Sequence, residues 1–192
     1  MTPTALGRAS PPPRPSKAEL AAAVSRVVPD LIAPDLDVLF CGINPGLYTA
    51  AIGHHFGRPG NRFWPALHRS GFTPRQFSPW EEGELLSQGI GITNMVQRTT
   101  ATAAELSPEE YVQGGNRLAA VATRYRPGII AILGIGAYRS AFGRKRATLG
   151  LQPECIGSTT LWVLPSPSGL NANHQLADLV ELFAELRAWV SR

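Results

Sequence analysis

Almost wholly apolar runs alternate with amphipathic stretches along this chain. Val38 to Ile43 and Ile129 to Leu133 are short runs in which nearly every position is apolar. That pattern fits strands buried on both faces of a parallel sheet. Gly89 to Met95 and Leu161 to Leu164 read the same way. Helical signals lie between them. Ser16 followed by Glu19 is a capping box that opens a helix through about Val28. Asn61 caps a helix holding Phe63, Trp64 and Leu67, and Ser78-Pro79 opens a short one with Leu85 and Leu86. Ser107-Pro108-Glu109-Glu110 places a capping Ser, a first-position Pro and a third-position Glu ahead of a helix reaching about Tyr125. Tyr138 to Phe142 is a brief helix. His174 to Val190 carries Leu176, Leu179, Val180, Phe183, Leu186 and Val190 on one stripe. The segment from Asn44 to Gly60, with four glycines and two prolines, reads as a loop. Strands and helices joined by short links predict an α/β fold: a three-layer sandwich with a short, mostly parallel central sheet flanked by helices. Residues 1–15 hold five prolines and predict a disordered tail, which leaves 16–192 as a single domain without internal repeats.

Composition narrows the chemistry. Hydrophobic residues make up 44% of the 192 positions and charged ones 17%, enough to bury a core and too apolar for global disorder. Cys41 and Cys155 are the only cysteines, which excludes a disulfide framework, a four-Cys zinc site and a Cys-ligated iron–sulfur cluster. His54 and His55 are adjacent, so they point apart in an extended chain, and no metal-ligand spacing occurs elsewhere. No apolar run reaches the roughly 18 residues of a membrane span, and the N-terminus has no secretory apolar region. The expectation is a cytoplasmic monomer (nucleoid-associated if bacterial) that needs neither metal nor cofactor.

The net charge is only +4, but acids and bases are segregated. No Asp or Glu occurs between Asp37 and Glu81, where Arg58, Arg62, Arg69 and Arg75 lie with His54, His55 and His68. A second acid-free stretch runs from Glu110 to Glu154 and carries Arg117, Arg124, Arg126, Arg139, Arg144, Lys145 and Arg146. The two stretches suit either one positive face for a polyanion or ordinary solvated helix ends.

In open parallel sheets, sites form at the carboxyl ends of strands. The loops there are Gly42-Ile43-Asn44-Pro45-Gly46, Thr93-Asn94-Met95 and Pro165-Ser166-Pro167-Ser168-Gly169-Leu170, all rich in small polar residues. They contain no carboxylate pair and no phosphate-cradling loop ending in Lys-Ser or Lys-Thr. Gly134-Ile135-Gly136 is only faintly dinucleotide-like, because Arg139 stands where a third glycine belongs. Asn44 is either a turn-capping residue or a rigid amide that orients a water. A neutral amide barely accepts a proton, so the second role needs a leaving group that departs almost unaided.

Gly42-Ile43-Asn44-Pro45-Gly46-Leu47 followed by Gly60-Asn61-Arg62-Phe63-Trp64 resembles the mismatch-specific uracil/thymine-DNA glycosylase family of the uracil-DNA glycosylase superfamily. The similarity continues through Gly91 to Thr100, Ile132-Leu133-Gly134 and Pro165 to Leu170, covering roughly Val38 to the C-terminus. The resemblance implies excision of uracil, with thymine or other modified pyrimidines as further candidates, opposite guanine in double-stranded DNA. It implies base flipping into a pocket and a dissociative reaction in which Asn44 positions the attacking water. By the same resemblance Phe56 stacks on the flipped base, while backbone groups of Ile43 and Phe56, with Ser168, read its edge. Thr49 sits near the C5 group, and Thr93 and His55 are further water contacts. Gly169, Leu170 and Asn171 form a wedge that fills the vacated stack. Asn61 and the Arg144-Lys145-Arg146 cluster are expected at the DNA, whose G·U or related mismatches make it the partner.

Two features depart from any one branch. His54-His55 resembles thymine-processing members, whereas Ser168-Gly169-Leu170 resembles uracil-processing ones. Asn171-Ala172-Asn173 lacks the Arg often found after the wedge, which puts tight DNA retention in question. A non-catalytic mismatch-binding module and a small-nucleotide hydrolase on the same architecture are the competing readings. The first needs no Asn44 and the second needs no Leu170.

Overall fold

The computed structural model describes residues 11–191. Three runs of consecutively buried residues form β1 (Val38–Gly42), β2 (Ile90–Asn94) and β3 (Ile129–Leu133). They join β4 (Gly150–Ile156) and β5 (Thr159–Leu164) in a sheet of order β2-β1-β3-β5-β4. Every pairing is parallel except that of β4 with β5. Side chains alternate across the pleat. Val38 and Phe40 point to one layer, with α3 (Phe63–Arg69) and α6 (Leu176–Val190). Leu39 and Cys41 point to the other, with α4 (Pro108–Tyr125) and α5 (Ile135–Phe142). Phe40 lies edge-on to Phe63 and stacks on Phe183, which ties the first layer together. This is the expected mostly parallel sheet between helices.

Several boundaries differ from the expectation. The glycine-rich stretch holds a six-residue helix, α2 (Leu47–Ile52), which stops at Gly53 in the left-handed region (φ 74°). Its flanking Pro45, Gly46 and Gly53 masked a short stretch in which Leu47, Ala50 and Ala51 favour the helix. β4 was not anticipated. It is an edge strand whose mixed exposure and Pro153 interrupt any apolar pattern, with a register shift between Leu151 and Cys155. The first helix, α1, spans only Lys17–Ala22 and passes into a 3₁₀ turn at Ala23–Ser25. The segment opened by Ser78-Pro79 is also 3₁₀ (Pro79–Gln88). α5 begins at Ile135 rather than Tyr138, and α6 at Leu176 rather than His174. Of the Pro-rich tail, residues 1–10 lie outside the described residues, and 11–16 carry no regular secondary structure. Among the described residues no helix is long and apolar enough to cross a membrane.

Candidate functional site

The chain leaves β1 toward β2 on one side and later returns to place β3 on the other. That reversal opens a crevice beyond the carboxyl ends of β1 and β3. A cleft of about 370 Å³ lies there, lined by Ile43, Asn44, Thr49, His55, Phe56 and Asn94, with Ser168 and Leu170 at its rim. Asn61 and Asn171 also line it. Thr93, Arg144, Lys145 and Arg146 do not.

Asn44 is held through its amide nitrogen. Nδ2 donates to the Arg98 carbonyl at 2.9 Å and to Thr100 Oγ1 at 2.7 Å, with a longer contact to the Pro45 carbonyl at 3.3 Å. Thr100 Oγ1 gives its own proton to the Thr102 carbonyl at 2.8 Å, so toward Asn44 it can only accept. The rotamer of the carboxamide is therefore fixed. Two acceptors face its NH₂ group, and among the described residues no protein donor occupies Oδ1. A fixed amide oxygen at the cleft wall can accept a hydrogen bond from one water and so aim that water's lone pair.

One wall of the cleft packs Asn94 and Phe56 against Gly42. A Cβ there would stand 2.6 Å from Asn94 Oδ1 and 3.4 Å from the Phe56 ring, so only glycine admits both groups. Phe56 adopts φ 52°, a left-handed conformation unusual for a bulky residue. One face of its ring stacks on Phe63 at 4.1 Å, leaving the ring as part of the cleft wall. Asn94 ends β2 and is almost fully buried. His55 is 2% exposed and not a surface-loop side chain. Its Nε2 lies 2.9 Å from the Pro29 carbonyl, which can only accept, so Nε2 carries the proton. Nδ1 then presents its lone pair to Asn94 Nδ2 at 3.5 Å. That is a weak contact, but it turns Asn94 Oδ1 the other way, toward Gly42.

Thr93 is placed differently from the expectation. It is fully buried, gives its hydroxyl proton to Asp30 Oδ1 at 2.8 Å and accepts from Arg117 Nη1 at 3.2 Å. Arg117 also forms an ion pair with Asp30 and donates to the Asn94 carbonyl at 2.9 Å. Period-2 alternation sends Thr93 to the face behind the cleft and Asn94 into it. Ile43 lines the cleft, and its carbonyl already accepts from the Val96 N–H at 2.9 Å. Thr49 is a buried position on α2 at the cleft wall.

The loop from Pro165 to Asn171 forms the far rim. Leu170 is 70% exposed at its tip and belongs to none of the core clusters among the described residues. Internal bonds shape the loop: Leu170 N–H to Ser168 Oγ at 3.2 Å, and Asn171 Nδ2 to the Ser166 carbonyl at 2.9 Å. Arg62 donates from its guanidinium to the carbonyls of Pro167, Ser168, Asn171 and His174. Asn61 Oδ1 accepts the Phe63 N–H at 2.9 Å, but the N-cap of α3 is Arg62, so the expected capping residue stands one place before it.

The basic residues are less free than the sequence implies. Arg75 pairs with Glu81, Arg117 with Asp30, Arg126 with Asp35 and Arg144 with Glu154. Arg144, Lys145 and Arg146 line a separate groove beside β4. Arg98, whose carbonyl holds Asn44, pairs with Glu110, and that guanidinium pulls the Glu110 carboxyl down to about 2. Burial pushes the Cys41 thiol well above its ordinary range, so it is a core side chain and not a nucleophile. Thr100, Asn94 and Arg62 had no assigned part in the expected site. The bonds that reveal them span 56, 39 and more than 100 residues of sequence.

Residues 29–188 match the family model described as the uracil DNA glycosylase superfamily. The chain belongs to that superfamily, whose members are DNA glycosylases.

Proposed function

We propose that this superfamily member is a monofunctional glycosylase that releases uracil mispaired with guanine from double-stranded DNA. The observation that carries the reading is the clamp on Asn44, which spends both N–H groups on protein acceptors and keeps Oδ1 for water. A flipped uracil slides between the exposed face of Phe56 and the cleft walls. Its N3–H meets Asn94 Oδ1, the orientation that the tautomer of His55 favours. Cytosine has an acceptor at that ring position, so the same oxygen repels it.

The N-glycosidic bond then lengthens toward an oxocarbenium-like sugar and a uracil anion. Little proton transfer is needed before the bond breaks, which suits an amide in place of a strong base. The water on Asn44 adds to the sugar carbon, and its proton passes to solvent as charge is neutralised. Among the described residues no lysine lines the cleft, and so none of them offers an amine there to form a Schiff base and cut the strand. A G·U wobble opens more cheaply than a Watson–Crick pair, which favours the mispair. Leu170 occupies the hole left in the duplex.

The test is single-turnover release of uracil from a G·U duplex. Asn44→Ala keeps DNA binding and loses about 10²–10³-fold in rate, the range for removing a preorganised polar group. A rate within a few-fold of the parent protein contradicts the assignment.

A further inference from the structure

Arg62 lies where the base platform meets the rim loop. It is the N-cap of α3, and the next residue, Phe63, stacks on Phe56 at 4.1 Å. Its main-chain N–H donates to the Pro167 carbonyl at 2.9 Å. Its guanidinium donates to the same carbonyl and to those of Ser168, Asn171 and His174, on both sides of Leu170. The two segments also touch through backbone: a Cβ on Gly169 would stand 2.8 Å from the Gly60 carbonyl. Among the described residues Arg62 has no carboxylate partner, so its donors serve the loop alone. Only a planar fork reaches several carbonyls at once; an ammonium on a flexible stem holds fewer.

We propose that Arg62 is a positioning residue for base flipping. It fixes the height and direction of Leu170 relative to the Phe56 platform, so that filling the stack and seating the base happen as one movement. The inference rests on the reading that the cleft receives a flipped uracil. A rigid loop delivers Leu170 already ordered, whereas a loose one must lose that freedom at the moment of insertion. Arg62 therefore matters for paired DNA and hardly at all for a uracil that is already unpaired.

The experiment compares Arg62→Gln, Arg62→Lys, Leu170→Ala and the Arg62→Gln/Leu170→Ala double variant on duplex and single-stranded uracil DNA. Melting temperatures identify any variant that fails to fold, and Arg62→Lys keeps the charge if Arg62→Gln does so. Arg62→Gln is expected to slow duplex excision about tenfold and single-strand excision less than about twofold, with Arg62→Lys between. In the double variant the duplex rate should match Leu170→Ala alone, because the two residues act through one insertion. Equal losses on both substrates, or additive losses in the double variant, overturn the proposal. A second readout needs no chemistry: 2-aminopurine beside a 2′-fluorinated deoxyuridine brightens when the base flips. Brightening with the parent protein but not with Arg62→Gln supports the proposal even if no uracil is released, in which case only the catalytic reading fails. Equal brightening with both proteins overturns the role of Arg62 and leaves the catalytic reading standing.

Discussion

The orientation of Asn44 depends on a hydroxyl that is not itself in the reaction. Thr100→Val removes the acceptor at 2.7 Å while preserving shape. The Asn44 amide can then rotate, and base release should fall about tenfold with DNA binding unchanged, measured by single-turnover rates beside a binding isotherm. An unchanged rate contradicts the clamp. Leu170→Ala addresses the other end of the site. It should slow excision from A·U duplexes more than from G·U, and from both more than from single strands, since unstacking a paired base costs a few kcal/mol. Equal losses on every substrate mean that Leu170 is not a wedge. Asn44 and Leu170 are legible in the sequence because contiguous motifs carry them, and Phe56 and His55 by their place between those motifs. The clamp of Thr100 on Asn44 and the tautomer of His55 are not, since Asn44 and the Pro29 carbonyl reach them across 56 and 26 residues of sequence.

At the scale of elements, the segment from Arg26 to Leu31 straps the back of the site. It accepts from Thr99 at 2.7 Å, from His55 at 2.9 Å and from Thr93 at 2.8 Å, reaches the Ala51 carbonyl through Arg26, and pairs with Ile92 through Leu31. Asp30→Asn weakens its contact with Arg117 and should lower stability by about 1.5–3 kcal/mol, the range for hydrogen bonds to charged groups. Denaturant midpoints at neutral pH check this, and a change below about 0.5 kcal/mol contradicts it. The sequence read this stretch as the end of a helix and a link, because the bonds that tie it to the site are all long-range. α2 and β4 were hidden for opposite reasons, one by flanking glycines and one by an edge position that needs no apolar alternation. The long α4 was legible down to its cap, since the bonds between Ser107 and Glu110 close within one turn; the pairing of Glu110 with Arg98 was not. Glu110 also gives the fold a pH signature. Its folded value, about 2, lies below the ordinary value of 4.5, so the stability it confers is complete above pH 4.5 and disappears as pH falls toward 2. The melting temperatures of the parent and Glu110→Gln should therefore differ at pH 7 and converge near pH 2. A gap that stays constant over that range contradicts the Arg98 pairing.

For the whole molecule, charge placement bears on how DNA is held. Four of the arginines in the two acid-free stretches already have carboxylate partners, so the positive face is smaller than the sequence suggests. Within the 144–146 cluster, Arg144 bonds Glu154 at 2.6 Å, whereas Lys145 and Arg146 are exposed. If those two touch phosphate, replacing both with Gln reduces the slope of log K against log salt by about two; an unchanged slope places the cluster away from the DNA. The architecture as a whole was legible because fully buried parallel strands leave unbroken apolar runs. The loops that line the cleft were legible as strand-end loops, but the bonds that fix its side chains were not, because they join residues far apart in sequence. The central claim is that this cleft hydrolyses a glycosidic bond with an Asn44-held water. The most direct measurement is single-turnover release of uracil from a G·U duplex by the parent protein and by Asn44→Ala, at concentrations where both are shown to be fully bound. Rapid release by the parent and a loss of about 10²–10³-fold in the variant is the predicted result. Release at similar rates by both proteins, or binding without release by the parent, contradicts the account.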